Sequence, residues 1–245
     1  LLVDFLVAQP HVPRAVVMGL DNFAVSRLDS PLKQSAAYVP LGAAPRPWAD
    51  AAGDVMASLD PHYVEDSFWV LKSAYLGGRS APAWAFDPDG TGTQPGLESK
   101  VAAGTYDLQA VLEQHFPTVV ALRYGPDSRV EDEAIATLDG LFDQLMAAGV
   151  EVWTYIPPIH PWGLGRLAEN AAFAAMQEAA LDVLLAQCGP SFHVYDFTSI
   201  ASFGGQPDGF YDTYHFRPAM AIQIEQALAD PTGDLCSGRE AGLAG

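Results

Sequence analysis

Near its C-terminus the chain reads Phe210-Tyr211-Asp212-Thr213-Tyr214-His215-Phe216-Arg217-Pro218 and then enters an apolar, helix-like segment. An Asp three residues ahead of a His, in an aromatic loop that leads into a helix, suits general-base chemistry. The carboxylate holds the imidazole through one ring nitrogen, and the other takes a proton from a hydroxyl. Asp212 and His215 are therefore the candidate catalytic residues. Such a pair still needs a nucleophile. Ser26, Ser199 and Ser202 are the serines to weigh, and none lies in a Gly-x-Ser-x-Gly or Gly-Asp-Ser segment.

The elements that must position this pair follow from periodicity. Arg14 to Gly19 is a short apolar run of buried-strand type, followed by the polar pair Asp21-Asn22. Ile135, Leu138, Leu141, Phe142 and Leu145 recur at helical spacing, and Gly149 stops that helix. Val150 to Ile156 reads as a strand ending at Pro157-Pro158, a long helix is expected over roughly Leu164 to Ala186, and Phe192 to Phe197 reads as another strand. Pro218 suits the first turn of a final helix reaching about Leu228. Earlier segments are less regular. A helix end is expected over 1–8, an irregular Pro/Ala/Gly-rich stretch over 29–55, a helix over 67–76, a long surface loop over 77–104 and a helix from Tyr106 to Phe116.

Alternating helices and strands predict an α/β fold, three-layered αβα, with a mostly parallel sheet. The expected organisation is one domain over 1–230, interrupted by an irregular insertion at about 29–104, and a flexible tail over 231–245. In such sheets ligands lie beyond the carboxyl ends of the strands. Gly19, Asp21 and Asn22 end one strand, His160 follows another, and the Asp212–His215 loop supplies the third polar group on that rim. Gly19, Asp21, Asn22 and His160 are thus the binding candidates. His160 reads more readily as a loop histidine bonding a backbone carbonyl, and Asp21 and Asn22 as loop braces.

Composition narrows the partners. Thirty acidic against twelve basic residues give a formal charge of −18, a field that repels phosphate backbones and anionic lipid. Nucleic acid is excluded as a partner on this ground, and the apolar runs are too short to span a bilayer. Cys188 and Cys236 have no metal-like spacing; they are either a disulfide between a helix end and the C-terminal tail or two unrelated buried thiols.

Four segments carry a resemblance: Val17-Met18-Gly19-Leu20-Asp21-Asn22-Phe23, Tyr155-Ile156-Pro157-Pro158-Ile159-His160, Asp196-Phe197 and Asp212-Thr213-Tyr214-His215. Together they resemble the SGNH (GDSL-like) hydrolase superfamily, in particular its bacterial cell-envelope branch that includes DltD-like proteins. The resemblance implies a serine esterase or O-acyltransferase in which His215 is the base and Asp212 its orienting acid. It implies an acyl ester or glycan substrate, a periplasmic or cell-envelope setting, and no metal or organic cofactor. Its order of motifs places the nucleophile serine, the first strand and any membrane anchor upstream of Leu1. Where that superfamily has Gly-x-Asn-Asp, this chain has Gly-Leu-Asp-Asn, so Asn22 is out of register as an oxyanion donor. Two rival readings remain. One is a catalytically inactive module of the same fold that binds an envelope polysaccharide or a protein. The other is a metal site built from Asp21, His160, Asp212 and His215.

Overall fold

The computed structural model describes residues 12–26, 85–86 and 92–237. The segments expected over 1–8, 29–55 and 67–76 lie outside the described residues. Strand β1 (Ala15–Gly19) pairs with β4 (Glu151–Ile156), and β4 pairs with β5 (Phe192–Asp196), both in parallel. The sheet order is β1-β4-β5, so the middle strand is contributed from late in the chain. A separate antiparallel pair joins β2 (Ala85–Phe86) to β3 (Gly92–Thr93).

Six helices complete the described residues: α1 (Pro95–Ala102), α2 (Leu108–Arg123), α3 (Asp132–Ala147), α4 (Pro161–Leu167), α5 (Ala171–Ala186) and α6 (Pro218–Leu228). The fold is mixed α/β around a small parallel sheet, and its layering follows from strand alternation. On β4 and β5 the side chains of Val152, Ile156, Phe192 and Val194 enter one core cluster with Phe142 and Leu145 of α3 and Met176, Val183 and Leu184 of α5. Tyr195 points to the opposite face and packs with Met220, Ile224 and Leu228 of α6, joined at the edge by Trp153 and Tyr155. Successive residues of a strand face opposite sides of a sheet, so each strand serves both layers.

Several expectations shift. The long loop expected over 77–104 contains β2, β3 and α1. Pro95 suits the first turn of α1, and Glu98 near its start and Lys100 near its end complement the helix dipole. The helix expected to stop at Phe116 runs on through Pro117 to Arg123. Proline removes one backbone bond and crowds the preceding turn. The helix nevertheless continues into Tyr124, which is 3% exposed and anchors its end in the core. The single long helix expected over 164–186 is two. Asn170 breaks it by capping α5, its side chain accepting the Phe173 N–H at 2.9 Å.

Residues 231–237, expected to be loose, pack along β5. The Leu235 N–H donates to the Val194 carbonyl at 2.8 Å, and Asp234 accepts the Val194 N–H at 3.1 Å. Cys236 is buried and bonded to Cys188. Of the two readings of the cysteines, the disulfide is the one realised.

Candidate active site

The three polar loops open on one edge of the sheet. After β1, the Leu20 N–H donates to the Tyr155 carbonyl of β4 at 2.8 Å. After β4, the His160 N–H donates to the Thr213 carbonyl at 2.9 Å, which fastens that loop to the one carrying Asp212 and His215. Parallel strands require this, because all their carboxyl ends point one way.

Within the last loop, Asp212 Oδ2 meets His215 Nδ1 at 2.7 Å. Asp212 Oδ1 accepts the backbone N–H groups of Tyr214 and His215 at 2.8 and 2.9 Å. The carboxylate thus bends the chain into the turn that presents the ring. Burial opposes ionisation of Asp212, but the bond and charge of His215, with the two amides, outweigh it and hold the carboxyl below its usual range. The same bond raises the affinity of His215 for a proton, against its partial burial. The His215 side chain remains 52% exposed, so it sits at the mouth of the rim.

The binding candidates separate. Asn22 is 3% exposed; its amide donates to Gln177 Oε1 at 3.0 Å and its carbonyl accepts the Tyr124 hydroxyl at 2.7 Å. It braces the interior rather than facing a ligand. His160 is likewise buried. Its Nδ1 accepts the Trp162 N–H at 3.1 Å, capping α4, its ring meets Phe210 edge-on, and it bonds the backbone of Pro207. Burial also disfavours its charged form. Gly19 has a packing reason: a β-carbon there would lie 3.1 Å from the Tyr155 ring. Asp21 alone of the four belongs electrostatically to the pair. Burial raises its carboxyl, while the charges of Arg123 and His215 pull it back.

A buried polar chain supports the rim from below. The Tyr214 hydroxyl donates to Tyr124, Tyr124 to Asn22, Asn22 to Gln177, and Gln177 to Thr198, at 3.1, 2.7, 3.0 and 2.6 Å. It runs from the His215 loop through α2 and α5 to the loop after β5. On the other side, Glu98 of α1 binds Arg217 in a two-bond fork at 3.0 and 2.9 Å. It also accepts the Tyr211 hydroxyl at 2.6 Å. The Arg217 bond leads in holding Glu98 ionised, and burial followed by the Glu98 bond pushes the Tyr211 phenol up to about 12, so it stays a donor. The Tyr106 hydroxyl bonds the Tyr211 carbonyl as well.

Sequence reasoning missed Arg123. Its guanidinium lies 4.2 Å from the Phe23 ring centroid and 4.7 Å from that of Tyr214, between the β1 loop and the His215 loop. A helix ended at Phe116 cannot place it there; reading Leu112, Phe116 and Val120 as one continuing apolar stripe would have.

The serines are occupied locally. The Ser26 hydroxyl donates to the Phe23 carbonyl, Ser202 donates to the Ser199 carbonyl, and Ser199 accepts the Ala201 N–H. A second His–carboxylate group, His193 between Asp234 at 2.9 Å and Glu151 at 3.2 Å, lies at the opposite ends of the strands and fastens the C-terminal segment. Among the described residues no three His, Cys, Asp or Glu side chains group as metal ligands would. No helix among them is long and apolar enough to cross a membrane.

No protein-family model and no curated protein matches this sequence.

Proposed function

We propose that this chain carries the acid–base half of an SGNH-like serine esterase or O-acyltransferase site. The observation that carries the reading is the Asp212–His215 pair, with one carboxylate oxygen on the ring and the other on the backbone of the same turn. Its position beyond the carboxyl ends of a parallel sheet supports it. In this reading a serine hydroxyl loses its proton to Nε2 of His215 as its oxygen bonds the ester carbonyl carbon. The imidazolium then returns the proton to the departing alkoxide, leaving an acyl-enzyme that water or an acceptor hydroxyl resolves. Asp212 keeps Nδ1 protonated and balances the transient charge. In this reading the nucleophile is a serine from outside the described residues, as the resemblance implies. The substrate class is an acyl ester on an envelope glycan or polymer, and the Cys188–Cys236 bond suits an oxidising compartment.

The rival is an inactive module of the same architecture that binds a polysaccharide or protein. The occupied side chains of Asn22, Ser26, Ser199 and Ser202 favour it. The test is aryl acetate hydrolysis by the protein expressed with all the sequence its gene encodes. Turnover that falls by about a hundred- to ten-thousandfold in His215→Ala supports the enzyme. Turnover indifferent to His215, or none with any ester offered, sinks it in favour of the binding module.

A further inference from the structure

Arg123 is a cation on the rim whose N–H donors none of the roles above uses. It closes α2, is half-buried, and its guanidinium carbon lies over the rings of both Phe23 and Tyr214. Phe23 follows Asp21 and Asn22, and Tyr214 sits between Asp212 and His215, so the clamp joins the two loops that frame the pair. A cation held over ring faces keeps the in-plane N–H donors of its guanidinium for other partners. Among the described residues those donors make no hydrogen bond and no ion pair. A long side chain held this way has already lost the rotamer freedom that ligand binding would otherwise remove. Arg123 also lines, with His115, Val119 and Leu122 of the same helix, a cavity of about 350 Å³ along α2.

We propose that Arg123 is a carboxylate-holding subsite beside the Asp212–His215 pair. Two parallel N–H donors match the two oxygens of a carboxylate. A single positive charge that already interacts with the Asp21 carboxylate balances a singly charged anion and disfavours a phosphate dianion. The proposal deepens the ester-cleaving reading, because ester hydrolysis releases a carboxylate next to the general base. It requires no nucleophile in order to be tested.

The experiment is a titration of this chain, isotope-labelled, with acetate, acetamide and inorganic phosphate, following the Arg123 Nε–H and His215 ring resonances. Saturable shifts of both with acetate, absent with the neutral isostere acetamide and weaker with phosphate, are expected. Arg123→Gln should weaken acetate about tenfold or more, and Arg123→Lys, which keeps the charge but loses the fork, should fall between. An Arg123 Nε–H that does not respond to acetate in the unsubstituted protein overturns the proposal, whatever the variants do. So do equal responses to acetamide, tighter binding of phosphate, or unchanged acetate affinity in a folded Arg123→Gln. A merely structural clamp would change thermal stability in the variants without any saturable acetate response. Loss of the acetate site would leave ester turnover by the full-length protein to be judged separately, and an inactive full-length protein would leave the acetate site standing.

Discussion

Asp212 holds His215 with both carboxylate oxygens, Oδ2 on the ring at 2.7 Å and Oδ1 on the backbone N–H at 2.9 Å. A side chain that shapes the turn also orients the base, so ring position and loop conformation are set together. The three-residue spacing makes this reach available, since one turn of chain returns the backbone amide to the carboxylate.

The first consequence is in pH dependence. His215 has a raised proton affinity in the fold, so its contribution to stability is fully present below about pH 6.5 and is lost as pH rises through its folded value. Asp212 has a lowered value, so its contribution is present above about pH 3.9 and lost as pH falls through its folded value. Asp212→Asn should lower the titration midpoint of the His215 ring and flatten both limbs of the stability profile. Ring resonances followed against pH, with denaturant midpoints, measure this. A His215 midpoint unchanged in Asp212→Asn would contradict the pairing.

Thr213, between the two, has a buried hydroxyl with no hydrogen-bond partner among the described residues. Thr213→Val keeps the shape and removes the orphan group. The expected result is a protein as stable as the parent or more so, by up to about 1 kcal/mol, measured by urea denaturation. Clear destabilisation would mean that the hydroxyl has a partner in solution.

Tyr124 lies at the middle of the buried polar chain. Tyr124→Phe leaves Asn22 Oδ1 without its donor and Tyr214 without its acceptor. A loss of about 1–3 kcal/mol is expected, with the His215 loop exchanging its amide hydrogens faster. Unchanged stability and exchange would show that the chain of bonds is not a support for the rim.

The Cys188–Cys236 bond closes a sequence separation of 48 residues and fixes the segment that pairs with Val194. Replacing both by Ser should lower stability by about 2–4 kcal/mol, seen as a lower melting temperature that reductant no longer changes. Parent and variant melting together would show that the bond does not form in solution.

Gly163 of α4 touches the same loop from beneath: a β-carbon there would lie 2.6 Å from Thr213 Cγ2. Gly163→Ala should therefore cost about 1–3 kcal/mol and displace the His215 ring resonances, which thermal melts and spectra of the variant report. An alanine accepted without either change would mean that the loop has slack.

The parts of the fold whose cause is local were legible in the residues alone. The β-rich runs at 150–156 and 192–197, the helical stripe ending at Gly149, Pro218 at the start of α6 and the Asp212–His215 spacing all act within a few residues, and each has its counterpart in the structure. Parallel pairing put the three loops on one edge because strand direction leaves no other arrangement. The tertiary structure decided what depends on distant partners. Continuation of α2 past Pro117 rests on burial of Tyr124 against the core, which outweighs the local cost of proline. The withdrawal of Asn22 and His160 into the interior depends on Gln177, Tyr124 and Phe210, far away in sequence. Choice between two thiols and a disulfide required Cys188 and Cys236 to be brought within a Cα separation of 5.2 Å. Arg123 entered the site only when rings from two separate loops closed on its guanidinium. No local pattern records such a meeting, because stacking depends on where three elements come to rest and not on the spacing of any one of them.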